Sequence, residues 1–182
     1  MSKGQIKTDN SFLQDKIELR LNHLPDKEKI YILDCYAGDG IIWNKIKNHS
    51  NKQIKILGID RENKKGVYLK GDNRKFLKTM DLKKFDVIDM DSYGVPYEQL
   101  RIIFDRGFKG VVFVTFIQSV MGQLPRRMLY EVGYTKRMID NIPSLFNRNG
   151  IEKFKRYLYL HGIDRVFMRN SGRKYYLSFK IL

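Results

Sequence analysis

Residues 85–94 read FDVIDMDSYG: an apolar run ends in two carboxylates, Asp89 and Asp91, followed by Ser92, Tyr93 and a turn-forming Gly94. A buried strand gains nothing from terminal charges unless something pairs with them. The same pattern recurs earlier. KIYILDCYAGDG, residues 29–40, is apolar up to Asp34 and passes into Gly38 and Gly40. IKILGID ends at Asp60 and VYLKGD at Asp72. Ionised carboxylates only accept, so they bind hydroxyls, amines and cations. Asp60 falls 20 residues after Gly40, the place where a strand-end acid accepts from both ribose hydroxyls. Asp72 is placed to accept from an exocyclic adenine amine. Gathered on one sheet edge, these acids describe a nucleoside site. Any one of them alone also fits a helix cap, Asp72 before NRKFL above all.

The glycine turn narrows the ligand. Gly38 and Gly40 let the backbone approach a bound molecule closely. A dinucleotide fingerprint asks for a third glycine at position 43, where this chain has Trp43. The indole leaves little room for a pyrophosphate, so NAD is disfavoured. A tight strand-to-helix turn with no ligand is the alternative for a bare Gly-x-Gly. An acidic, phosphate-free rim suits a nucleoside that carries a cationic sulfonium, S-adenosylmethionine. The histidines His23, His49 and His161 are scattered, and no Cys/His cluster has metal spacing, so no metal is expected.

These residues need alternating strands and helices to hold them. SFLQDKIELRLNHL (11–24) has helical spacing, with Phe12, Leu13, Ile17 and Leu21 on one face, inside an N-terminal lead-in of residues 1–28. Strands are expected over 29–34, 54–60, 67–72, 85–91 and 109–116, and helices over 41–49, 73–80 and 95–107. Strands apolar throughout, alternating with helices, indicate a Rossmann-like, doubly wound, mostly parallel sheet in one α/β domain spanning 1–182. Residues 162–182 hold two β-rich runs around RNSGRK, an antiparallel hairpin that completes seven strands. Basic helices are expected between Gly122 and Leu160, with Pro125 and Pro143 near their starts. One connection is short: only RENKKG (61–66) separates the second and third strands, where a parallel crossover usually needs about a dozen residues. A helix should be missing there.

Bulk properties set the partner class. The chain has 182 residues and a net charge of +15. From Arg101 onward it holds 16 Lys and Arg against 5 Asp and Glu. A basic half with interleaved aromatics suggests a polyanion, most simply nucleic acid, against a merely solvated lysine-rich surface. Arg126, Arg127, Lys136, Arg137, Lys153, Lys155 and Arg156 form the densest cluster. No apolar run reaches the length of a membrane span, and MSKGQIKTDN has no signal-peptide core. The single cysteine, Cys35, allows no internal disulfide, which fits a reducing, cytoplasmic setting.

The order of these motifs resembles the class I S-adenosylmethionine-dependent methyltransferases. DCYAGDG is similar to their first motif, GID to their second and GDN to their third. DMDSYGVP (89–96) and GVVFVTF (110–116) resemble the tRNA guanine-N2 dimethyltransferase family regionally, with Ser92 where that family has proline. The resemblance implies cofactor contacts from Asp34, Tyr36, Gly38, Gly40, Asp60, Arg61, Asp72, Asn73 and Asp89. It implies a catalytic group of Asp91, Ser92 and Tyr93. The carboxylate of Asp91 accepts hydrogens from an exocyclic base amine, the Ser92 carbonyl takes a second, and Tyr93 stacks on the flipped base. RNA is expected ahead of DNA as the partner. Cys35, just after the first strand's acid, has a packing role, which argues against methylation of ring carbon through a thiolate. The competing readings are a small-molecule methyltransferase and a Rossmann-like nucleic-acid-binding protein without turnover.

Overall fold

The computed structural model describes residues 12–117 and 123–182. Seven strands form one sheet in the order β3-β2-β1-β4-β5-β7-β6. They are β1 Lys29–Asp34, β2 Gln53–Asp60, β3 Leu69–Lys70, β4 Val87–Met90, β5 Gly110–Ile117, β6 Val166–Ser171 and β7 Lys174–Ile181. The pairs β3–β2, β2–β1, β1–β4 and β4–β5 are parallel, and β7 runs antiparallel to both β5 and β6. The expected C-terminal hairpin is therefore present, and its second strand lies inside the sheet with β6 at the edge.

Helices cover both faces. On one face α1 (Leu13–Asn22) and α2 (Ile41–His49) cover the sheet, where Ile17, Trp43 and Ile46 pack on Ile30, Ile32, Val87 and Phe113. The other face carries α3 (Asn73–Thr79), α4 (Tyr97–Asp105), α5 (Arg126–Glu131) and α7 (Gly150–Leu160), with Leu33, Ile88, Met90, Val112 and Val114 beneath them. β4 is buried at every position, as a strand covered on both sides must be. The basic stretch expected as one or two helices forms α5, a short α6 (Lys136–Asn141), a 3-10 turn over Pro143–Phe146 and α7. Pro125 is the N-cap of α5, and Pro143 opens the 3-10 turn. The first residue of the expected lead-in helix, Ser11, and Gly122 lie outside the described residues. No helix among the described residues is long and apolar enough to cross a membrane.

The short crossover has no helix, as expected, and the topology explains how that is possible. β3 is only two residues long and pairs with Ile59 and Asp60, at the carboxyl end of β2. The chain leaving β2 therefore has almost no distance to travel back. Residues 61–68 fold instead against the glycine turn, where Gly66 N–H donates to Gly38 O at 3.1 Å. A Cβ on Gly66 would lie 2.5 Å from the Gly40 backbone nitrogen, so only glycine permits this approach.

Candidate active site

The parallel register builds the site. Ile32 pairs with Val87 and Asp34 with Asp89, so both acids point to the α1–α2 face, away from Met90 in the opposite core. Asp91, two residues beyond Asp89, shares that parity. Gly38 and Gly40 take φ of 49° and 71°, which turns the chain from β1 into α2. The result is a cavity of about 390 Å³ at the carboxyl edge of the sheet. Asp34, Tyr36, Gly38, Gly40, Asp60, Arg61, Asp89, Asp91, Ser92 and Tyr93 all line it.

Asp72 and Asn73 do not line this cavity. Asp72 caps α3 by accepting from Arg74 N–H at 3.0 Å, and its carboxylate pairs with the Arg74 guanidinium at 2.5 Å. Arg74 holds it down at a pKa of about 2. Asn73 is buried and donates to Cys35 O at 2.8 Å while accepting from Gln99. Asn73 thereby ties the start of α3 to the residue after β1.

Within the cavity each acid has a different environment. Asp60 accepts from Gly38 N–H at 3.0 Å and from Glu62 N–H at 3.1 Å, so the glycine turn and the strand end hold one another. Asp34 accepts from Tyr36 N–H at 3.1 Å. Burial first, and then the charge of Asp89, push its carboxyl well above the usual carboxylate range. The Tyr36 phenol is pushed up to about 12 by burial. Asp89 is 1% exposed and receives Arg20 through Nε and Nη2, each at 2.7 Å, and the Trp43 indole N–H at 2.8 Å. Burial pushes the Asp89 carboxyl up against the pull of Arg20, yet all three N–H groups of Arg20 and Trp43 can only donate, so the hydrogen-bond set is that of the carboxylate.

Asp91 receives Lys16 Nζ at 2.9 Å on Oδ1 and 2.7 Å on Oδ2, and the Thr115 hydroxyl at 2.5 Å on Oδ1. Burial alone would raise this carboxyl; Lys16 and Arg20 outweigh it and hold it below the usual range. Asp91 is therefore ionised at neutral pH, as a hydrogen acceptor must be.

Ser92 anchors the loop through both its backbone and its side chain. Its N–H, which proline lacks, donates to Met90 O at 2.8 Å. Its buried hydroxyl donates toward Thr115 O at 3.2 Å and Gly94 O at 3.3 Å. Tyr93 stands 60% exposed at the cavity edge. The Cys35 thiol is buried and pushed up by that burial, which leaves it no thiolate character.

Lys16, Arg20 and Thr115 are the site residues that sequence reasoning missed. Thr115 had a signal, since it lies near the end of the fifth strand, beside the fourth. Lys16 and Arg20 had only their spacing, four apart on an amphipathic helix.

The basic cluster on the second half is less available than its sequence suggests. Arg126 pairs with Asp140, Arg127 with Glu131 and Lys155 with Glu152. Lys153 is not on the surface: it is 8% exposed, lies over the Tyr134 ring and donates to Arg148 O. Lys136, Arg137 and Arg156 carry no ion pair among the described residues.

The chain superposes on solved methyltransferases over nearly its full length. A S-adenosylmethionine-dependent methyltransferase from Archaeoglobus fulgidus matches with a TM-score of 0.57 and 13% identity, covering 93% of this chain and 94% of that one. The fold is the class I methyltransferase fold. The precorrin-6y C5,15-methyltransferase of Geobacter metallireducens matches with a TM-score of 0.56 and 13% identity over 100% of this chain and 93% of the other. A candidate exported protein from Bordetella parapertussis has a TM-score of 0.59 and 8% identity over 92% of this chain, which spans 66% of that protein's length. No protein-family model and no curated protein matches the sequence.

Proposed function

We propose that the chain is an S-adenosylmethionine-dependent methyltransferase acting on an exocyclic base amine, in RNA ahead of DNA. The observation that carries this reading is the charge of the cavity. Six carboxylates and four basic side chains line it, in a protein whose net charge is +15. Asp89 and Asp91 are matched by Arg20 and Lys16, and Asp34 has no ion pair among the described residues. A cationic ligand supplies what Asp34 lacks. The volume lies in the range of small-ligand sites, roughly 300–1,000 Å³. Asp60 beside the glycine turn is where the ribose of a nucleoside would be held.

Bound there, S-adenosylmethionine supplies an electrophilic methyl on a cationic sulfur. Orienting the amine falls to this chain. An aromatic amine is a weak nucleophile because its lone pair is delocalised into the ring. Asp91, ionised at the cavity edge, accepts one amine hydrogen and localises that pair, then takes the proton that leaves the nitrogen. The Ser92 carbonyl accepts the second hydrogen, and Tyr93 stacks on the base once it has left its helix. Holding the amine in line provides a large share of the rate. Lys136, Arg137 and Arg156, with the excess of basic residues after Arg101, supply the field that attracts phosphates.

The test offers a tritiated methyl donor to RNA, DNA and metabolite pools in turn. Label in RNA that disappears with Asp91→Ala, while the affinity for S-adenosylhomocysteine is unchanged, supports the reading. Asp60→Ala should do the reverse and weaken cofactor binding. Label confined to metabolites would overturn the nucleic-acid substrate, and cofactor binding with no transfer to any pool would favour a binding protein without turnover.

A further inference from the structure

The helix that precedes β1 reaches the reacting end of the cavity. Lys16 and Arg20 stand four apart on α1, and Asp89 and Asp91 two apart at the end of β4. Four helical residues rise about 6 Å and two strand residues about 6.6 Å, so the two spacings match. The four side chains accordingly form a two-rung ladder, Arg20 to Asp89 at 2.7 Å and Lys16 to Asp91 at 2.7 Å. The same helix is clamped on another side by the hairpin. Arg169 of β6 pairs with Asp15 at 3.3 Å and Glu18 at 2.6 Å, and the Ser171 hydroxyl donates to Asp15 at 2.9 Å. The position of Lys16 is thus fixed by contacts that do not involve the cavity.

The rungs differ. Arg20 is 1% exposed, whereas Lys16 lines the cavity, with its ammonium 5.3 Å from the Tyr176 ring centroid. Among the described residues, Oδ1 of Asp91 receives both Lys16 and Thr115, while Oδ2 receives Lys16 alone. A carboxylate oxygen accepts about two hydrogens. One acceptor site therefore remains, on Oδ2.

We infer that Lys16 is a positioning residue for methyl transfer: it fixes the Asp91 carboxylate so that the remaining acceptor site of Oδ2 serves the target amine. The inference rests on the methyltransferase reading and names a role that the strand-end motifs do not contain. Lys16 acts through Asp91 and supplies the charge that keeps it ionised. The other groups around Asp91 are Arg20 on α1, Asp34 on β1, Asp89 on β4 and Thr115 on β5, with Asp60 of β2 and Lys174 of β7 lining the same cavity. Among the described residues, Lys16 is the cation in direct contact with Asp91, so its removal should dominate the titration.

The experiment compares Lys16→Met, Lys16→Arg and the wild-type chain. Carbon-13 NMR follows the Asp91 carboxyl through a pH titration, calorimetry measures S-adenosylhomocysteine affinity, and methyl transfer is followed as a function of pH. Lys16→Met should raise the Asp91 pKa by about 1 unit or more and move the acid limb of the rate profile upward with it. The rate should fall about 10-fold or more, with cofactor affinity within about 3-fold of wild type. Lys16→Arg should restore the titration and most of the rate. A Lys16→Met chain that keeps the wild-type Asp91 titration and rate overturns the inference alone. A wild-type chain that binds no S-adenosylhomocysteine overturns the methyltransferase reading beneath it, and calorimetry shows that separately.

Discussion

The β4 and β2–β3 ends of the sheet hold their acids by different means. On the β4 side, Asp89 is buried and Asp91 half-buried, and they pair with cations 69 and 75 residues away in the chain. On the β2–β3 side, Asp60 and Asp72 are more exposed: Asp60 accepts from the backbone N–H groups of Gly38 and Glu62, and Asp72 from the N–H and guanidinium of Arg74, two residues on. A buried carboxylate has lost its water and requires a charged donor in a fixed place. A rim carboxylate keeps water and needs only a turn. The β4 acids are therefore specified by tertiary structure, while Asp72 is held locally and Asp60 by the glycine turn it braces. Such a division suits a site in which chemistry occurs at one end and a cofactor enters at the other.

The sharpest way to break the contrast is Arg20→Met. It leaves Asp89 buried with only the Trp43 indole as donor, and chemical denaturation should show a loss of about 3–5 kcal/mol. The double variant Arg20→Met/Asp89→Asn should recover part of it, because the stranded charge is gone. A loss below about 1 kcal/mol would place the buried side among ordinary surface pairs.

Gly66→Ala tests the other side. The added methyl meets the Gly40 backbone nitrogen at 2.5 Å and Gly38 O at 2.9 Å, so the crossover must shift. The expected cost is about 1–3 kcal/mol, with weaker cofactor binding because the glycine turn moves too. Unchanged affinity with lowered stability would detach the crossover from the site.

Asp72→Ala should cost about 1 kcal/mol through the lost cap of α3 while leaving cofactor affinity alone. Its folded pKa is lowered to about 2, so the contribution is present above the unfolded carboxylate range and is lost as pH falls toward that value. A drop in cofactor affinity would return Asp72 to the adenine contact that its sequence position suggests.

The smallest effect expected concerns Asp34, whose carboxyl is pushed well above the usual carboxylate range by burial and by the charge of Asp89. Its ionised form favours a cation, so calorimetric affinity for S-adenosylmethionine should strengthen as pH rises through that raised titration. Affinity that is flat with pH would remove Asp34 from the ligand's charge balance.

Much of this arrangement is legible in the sequence. Strands apolar throughout give the parallel sheet, and the six residues at 61–66 give away the missing helix. Asp34, Asp60 and Asp91 are visible because each ends an apolar run, a local signal. Asp72 ends such a run as well, but the same position is an N-cap, and the cap governs its side chain. Lys16 and Arg20 were hidden because a polar residue on an amphipathic helix reads as solvent-facing. Only the folded register, which brings α1 over the carboxyl end of β4, converts them into partners for buried acids. Lys153 shows the converse: it reads as part of a basic surface, yet its stem is buried and its ammonium is held by a carbonyl and a ring.

The most direct test of the central claim is calorimetric titration of S-adenosylhomocysteine into the wild-type chain and into Asp60→Ala. Saturable binding at one site per chain, weakened by the substitution, is the predicted result. Absence of heat at millimolar ligand, or binding indifferent to Asp60, would contradict a cofactor site at the carboxyl edge of this sheet.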